Sequence, residues 1–136
     1  WLEKDGYPFW SFWENIKTWW NIRDLPNVHL LHFEALKRDM PGEIRRIADF
    51  IDISISEERW EALVEHCTFD YMKRHATASA PLGGAFWDGG AETFIHKGVN
   101  GRWRDVLPTA LSEAYEAKAA TELGDECAAW LDAGTI

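Results

Sequence analysis

The chain has 136 residues, the length of one ordinary domain, and 46% of them are hydrophobic, so it can bury a core. Its 23 acidic side chains outnumber its 14 basic ones, and the formal net charge of −9 excludes the broad basic face of a general nucleic-acid binder. A site for one small anion remains possible, because a phosphate needs only a local pocket of donors.

Two cysteines, Cys67 and Cys127, indicate a reducing compartment, because two cysteines in this length do not make a disulfide framework. No apolar run approaches the roughly 18 residues that suggest a membrane span, and no signal peptide is recognisable. These features predict a cytoplasmic protein without a membrane span. The chain starts at Trp1 and enters an aromatic helix almost at once, so we expect it to be part of a longer protein.

An aromatic helix is predicted for residues 8–22, where six apolar side chains recur at spacings of three and four. We expect this stripe to pack in the core, because its polar face lacks the basic residues of a membrane-surface helix. The stripe consists of Phe9, Phe12, Trp13, Ile16, Trp19 and Trp20.

A buried strand is predicted next, at residues 28–33, where VHLLHF is short, apolar and partly β-branched. Its histidines, His29 and His32, are expected to be satisfied core or edge residues. No partner strand is recognisable, which strengthens the expectation of a longer protein.

The remaining segments are predicted to be mostly helical. Helices are expected at residues 34–39, 41–51, from Ser56 onward, 69–75, 109–123 and around Trp130. Residues 76–93, rich in glycine and small side chains, predict a long flexible loop. Its Phe86 and Trp87 suit a lid over a site as well as a disordered connector. His66, Cys67 and His75 do not have the spacing of a zinc site.

The segment FIHKGVNGRW, residues 94–103, is locally cationic. Gly98 and Gly101 permit positive φ values, so the backbone amides of this turn can face one anion. Lys97 and His96 add side-chain donors. On spacing alone, a plain surface turn explains the segment better.

Four landmarks in a fixed order carry a family resemblance over nearly the whole chain. FEALK follows the predicted strand at 33–37, GEIRRIADFI lies at 42–51, HCTFDYMKRH at 66–75 and HKGVNGRWR at 96–104. In this order they resemble the C-terminal half of the cytosolic-type sulfotransferases, which use 3′-phosphoadenosine-5′-phosphosulfate (PAPS).

The resemblance implies that the parent domain has an α/β fold related to the P-loop NTPases. Residues 1–136 would form its C-terminal part, mostly α-helical with about one strand. Lys97 and Gly98 would hold the 3′-phosphate of the nucleotide, with His96 in place of an arginine, and Phe69 would stack on the adenine. The residues expected to bind the nucleotide are His96, Lys97, Gly98, Phe69, Cys67 and Phe33. Lys73 and Arg74, near this segment, are weaker candidates for a phosphate contact.

The implied reaction is transfer of a sulfuryl group from PAPS to a hydroxyl or amine of a small-molecule acceptor, without a metal. The phosphate loop and catalytic histidine belong to the family's N-terminal half and are not found here, so no catalytic residue is assigned and the chain alone is expected to be inactive. One alternative is a non-enzymatic helical module that binds a protein through its aromatic face. Another is an enzyme of the same fold using a different nucleotide. Self-association through exposed core surface is also expected.

Overall fold

The computed structural model describes residues 1–134, and this part of the chain is built from α-helices joined by short turns. The helices are α1 (Phe12–Asn21), α2 (Phe33–Arg38), α3 (Met40–Phe50), α4 (Glu57–His66), α5 (Phe69–Arg74), α6 (Ala76–Ser79), α7 (Ala91–Phe94), α8 (Thr109–Leu123) and α9 (Asp125–Ala133). Turns of 3-10 helix occupy Leu2–Lys4, Pro81–Gly84 and Arg102–Asp105. The prediction of a mostly helical chain is confirmed.

The chain divides into two compact units. The first unit comprises Trp1–Ile51 and Trp103–Ile136, and the second unit comprises Asp52–Arg102. Among residues 1–134, no helix has both the length and the apolar character needed to cross a lipid bilayer.

The strand predicted at residues 28–33 is wrong, because residues 1–134 contain no strand. Phe33 instead begins α2, and His32 provides the cap: its Nδ1 accepts the backbone N–H of Glu34 at 3.1 Å. With Nδ1 as the acceptor, the neutral ring carries its proton on Nε2, which donates to the carbonyl of Leu131 at 2.9 Å. His32 is therefore a satisfied histidine, as predicted, but it starts a helix.

The core of the first unit is aromatic. On α1, Trp13 and Trp20 are only 2% and 7% exposed. The Trp13 ring lies 5.6 Å from that of Tyr115 on α8, and the Trp20 ring lies 5.4 Å from that of Trp130 on α9. Core packing is thus confirmed for the inner side of the predicted stripe, whereas Phe9 and Trp19 at its edges are 75% and 53% exposed.

Helix α1 begins at Phe12, later than the expected start near Pro8, because two side chains bind its first amides. Ser11 Oγ accepts the N–H of Glu14 at 3.1 Å, and the Asp5 carboxylate accepts the N–H of Trp13 at 3.1 Å. The hydroxyl of Ser11 also donates to Asp5, and this bond, followed by the bond from Trp13, lowers the pKa of the Asp5 carboxyl. Asp5 therefore stays ionised and stabilises the start of α1 at Phe12.

The second unit has a small core made of alanines. Ala76, Ala80, Ala91 and Ile95 are buried together, and Phe69 packs against them. Three of these four residues lie in the segment 76–93 that was predicted to be a long flexible loop. The prediction of a loop is wrong, because the segment contains α6, a 3-10 turn and the start of α7. Small side chains, which suggested a linker, allow these short helices to pack closely.

Candidate functional site

The candidate site is the turn that follows α7 in the second unit. Ile95, 9% exposed, fixes the start of this turn in the alanine core. Gly98 and Gly101 have φ values of +58° and +76°, in the region that favours glycine. The positive φ values predicted from the sequence are therefore confirmed, while anion binding by this turn stays a prediction.

The ring of Phe69, the first residue of α5, lies directly against Gly98. A Cβ atom placed on Gly98 would lie 2.5 Å from Cδ2 and 2.7 Å from Cγ of Phe69, which is too close for any side chain. The ring is half-buried. The close approach of ring and backbone thus depends on the absence of a side chain at position 98.

Thr68 positions the helix that carries this ring. Its Oγ1 accepts the backbone N–H of Tyr71 at 3.1 Å and donates to the carbonyl of Glu65 at 2.7 Å. It therefore caps α5 and ties the helix to the end of α4. These two hydrogen bonds of Thr68 hold the first turn of α5, where Phe69 lies.

A second contact joins α5 to the turn. Lys73 Nζ donates to the backbone carbonyl of His96 at 2.9 Å, and it also lies 5.9 Å from the centroid of the Phe69 ring. From the sequence alone, Lys73 is only a weak candidate for a phosphate contact. Its spacing of four residues from Phe69, which puts both on one face of α5, was the available signal.

The structure brings some of the predicted site residues together within the second unit, and one of them belongs to the first unit. Phe69 and Gly98 are in contact, and exposed Cys67 is the C-cap of α4, just before Thr68 and Phe69. Phe33 belongs to the first unit, where it begins α2 and is 59% exposed.

The charges on the turn are open to solvent. The side chains of His96 and Lys97 are exposed, and the Lys97 ammonium has no hydrogen bond or ion pair with any residue between 1 and 134. Arg74, the other basic candidate, pairs with Glu65 at 3.0 Å. The Lys97 ammonium is therefore available to an anion from solution.

An aromatic pair lies on the segment before the turn. The Trp87 ring packs 4.4 Å from that of Phe94, whereas Phe86 is 75% exposed. Trp87 is therefore held against α7, and Phe86 is presented to solvent. A role for this pair as a lid stays a prediction.

The histidines near α5 form an aromatic stack. The ring of Tyr71 lies between His66 and His75, with centroid distances of 4.3 Å and 4.1 Å. Tyr71 thus separates the two side chains that were considered as zinc ligands. Over residues 1–134, no group of three or more His, Cys, Asp or Glu side chains is arranged to hold a metal ion.

Comparison with known proteins gives a family match across most of the chain. Residues 3–125 match the family model described as Sulfotransferase domain. The chain is 30% identical to mouse sulfotransferase 1B1 over 108 residues, which cover 79% of the chain and 36% of that relative. No solved structure gives a significant match.

Two further relatives give a similar result. Rat sulfotransferase 2A6 is 28% identical over 116 residues, covering 85% of the chain and 41% of that protein. Human sulfotransferase 1E1 is 28% identical over 110 residues, covering 80% of the chain and 37% of that protein. The chain thus spans about two fifths of the length of these relatives. Because the family model matches most of its length, the chain belongs to the sulfotransferase domain family.

Proposed function

We propose that the second unit binds the adenine and the 3′-phosphate of PAPS, and that it does so as part of a sulfotransferase. The complete domain would have the α/β fold related to P-loop NTPases and would transfer the sulfuryl group to a hydroxyl or amine of a small-molecule acceptor. Family membership supports sulfuryl transfer in general terms. The role of this part of the chain is argued from its own residues.

The observation that carries the proposal is the contact between Phe69 and Gly98. The family resemblance assigns the segment around Phe69 to the adenine and the segment around Gly98 to the 3′-phosphate. These segments are separated in sequence, yet the ring of one touches the backbone of the other. One adenosine nucleotide can therefore meet both, with the base on the aromatic ring and the phosphate on the turn. Stacking of a base on an aromatic ring contributes about 1–3 kcal/mol.

Lys97 is proposed as the main charge on the phosphate. Its ammonium is exposed and unpaired among the described residues, and it stands next to a turn whose positive φ values suit an anion nest. His96 replaces the arginine of the family motif, so a bidentate contact with the phosphate is lost. We therefore expect Lys97 to dominate the phosphate contact.

We assign catalysis of the sulfuryl transfer to other residues of the complete domain. When bound, the nucleotide supplies an activated sulfuryl group. In-line attack by the acceptor oxygen or nitrogen would form a bond to sulfur and break the bond from sulfur to the 5′-phosphate oxygen, which leaves as adenosine 3′,5′-bisphosphate, while the acceptor proton would pass to a base elsewhere in the complete domain. Such transfers depend mostly on positioning and charge stabilisation. The residues of the present chain would bind and orient the nucleotide, and exposed Phe86 would help exclude water. No base is assigned among them.

The setting of the protein is also part of the proposal. Cys67 and Cys127 are free thiols, which supports the reducing cytoplasm as its location. Exposed Phe9 and Trp10, at 75% and 77%, support self-association through apolar surface.

Replacing Lys97 by alanine is expected to remove most of the stabilisation by adenosine 3′,5′-bisphosphate, the nucleotide product of PAPS. A ligand at one hundred times its Kd raises the free energy of unfolding by about 2.7 kcal/mol, so a loss is easily seen. Thermal unfolding is measured with this nucleotide, with adenosine 5′-monophosphate and with ATP. The control, Lys37→Ala on α2 of the first unit, makes the same charge change in the other unit.

Three outcomes would contradict the proposal. Undiminished stabilisation of Lys97→Ala would remove this residue from the phosphate site. Stronger stabilisation by ATP than by the bisphosphate would favour an enzyme using a different nucleotide. No stabilisation by any adenine nucleotide would favour the non-enzymatic module that binds a protein partner.

A further inference from the structure

We infer that Lys73 is a positioning residue for the nucleotide site. Its ammonium would set the peptide plane between His96 and Lys97 and hold Phe69 against Gly98, so that the adenine and 3′-phosphate contacts act as one rigid site. The inference rests on the proposed function, but it concerns a residue to which that function gives no role.

The first step is the orientation of one peptide group. Lys73 Nζ donates to the carbonyl oxygen of His96 at 2.9 Å. In a trans peptide the C=O and the following N–H point in opposite directions, so this bond turns the N–H of Lys97 away from Lys73. A positive charge on the carbonyl also polarises the peptide and strengthens its N–H as a donor. The N–H of Lys97 is thus oriented and made a better anion donor by the same contact.

The second step is the position of the aromatic ring. Lys73 follows Phe69 by four residues on α5, and its Nζ lies 5.9 Å from the ring centroid, at the outer limit of a cation–π contact. The ring also lies against the backbone of Gly98, beside its packing on the alanine core. One side chain therefore contacts both the ring and the turn on which the ring lies.

These contacts make Lys73 a tether and not a phosphate ligand. The ammonium is engaged by a backbone carbonyl, whereas Lys97 next to that carbonyl has no partner among the described residues. Loss of Lys73 should free the peptide before Lys97 and the ring of Phe69 together. Its effect should thus be larger for a ligand that uses both the ring and the turn than for one that uses the ring alone.

The experiment compares the Kd of adenosine 3′,5′-bisphosphate with that of adenosine 5′-monophosphate, which lacks the 3′-phosphate. In Lys73→Met we expect the affinity for the bisphosphate to fall about tenfold, as for loss of a charged hydrogen bond, and that for the monophosphate to fall less. The Kd of the monophosphate divided by the Kd of the bisphosphate should thus become smaller. Lys73→Arg keeps a cationic donor and should restore most of the ratio.

A matched control is available in the first unit. Lys118 Nζ donates to the carbonyl of Leu2 at 2.8 Å, so Lys118→Met removes the same type of bond and the same charge. The Kd ratio of this variant should equal that of the unchanged protein. If Lys73→Met does not fold, Lys73→Gln, which keeps a neutral but shorter donor, takes its place and should also lower the ratio relative to Lys73→Arg.

The outcomes separate this inference from the proposed function. If the unchanged protein binds neither nucleotide, the proposed function fails, and the role of Lys73 fails with it. If it binds both but Lys73→Met keeps the normal ratio, only the role of Lys73 is refuted. An equal fall for both nucleotides, or the same change in Lys118→Met, also refutes it, because a general loss of structure or charge would suffice.

Discussion

Replacing Gly98 by alanine is expected to reduce the affinity for adenosine 3′,5′-bisphosphate about 100-fold, through backbone strain and a displaced ring worth together about 3 kcal/mol. Gly98 has φ +58°, where an L-residue is strained. The new Cβ would also lie 2.5 Å from Cδ2 of Phe69, so the ring or the turn must move. Isothermal titration calorimetry on both proteins measures the change directly.

Gly90 provides the control for this variant within the second unit. It also has a positive φ, +71°, but a Cβ added there meets no atom within 4 Å. Gly90→Ala therefore carries the backbone strain without the clash, and it should lose some stability while binding the nucleotide normally. Equal losses of affinity in the two variants, or normal binding by Gly98→Ala, would show that the contact with Phe69 is not part of the site.

Replacing Trp13 by alanine is expected to destabilise the first unit by about 3–5 kcal/mol, the usual cost of deleting a buried large aromatic side chain. Trp13 is 2% exposed and packs against the rings of Phe12 and Tyr115 at 4.9 Å and 5.6 Å. Because domains are stable by only about 5–15 kcal/mol, much of the folded population should be lost on mild heating. Urea unfolding followed by far-ultraviolet circular dichroism measures the effect.

Trp19 is the matched control on the same helix, because it is 53% exposed. Trp19→Ala removes the same side chain from α1 with little loss of packing, and its cost should stay below about 1 kcal/mol. Similar destabilisation by the two variants would contradict the assignment of Trp13 to the core and of Trp19 to the surface.

The helices were the predictable part of the fold, because their signals are local. Apolar periodicity located α3, whereas α8 starts after Pro108 and ends at Gly124 as expected. The strand at 28–33 failed for a physical reason. An apolar β-branched run becomes a strand only when a neighbouring strand pairs with it, and the described residues offer none, while the His32 ring caps a helix.

The segment 76–93 was expected to lack regular structure, but it contains short helices. Its composition suggested a flexible loop, but Ala76, Ala80 and Ala91 are buried with Ile95, a cluster that sequence periodicity over such short helices does not reveal. In the candidate site, the positive φ of Gly98 was predictable from the residue type. Its contact with Phe69 was not, because only the folded second unit brings the two together.

Nucleotide binding by the second unit is measured most directly by titrating the isotope-labelled protein with adenosine 3′,5′-bisphosphate and following two-dimensional NMR spectra. We expect the amide signals of residues 96–98 and the ring signals of Phe69 to shift together with one Kd. Unchanged spectra at millimolar nucleotide, or shifts confined to the first unit, would contradict this expectation.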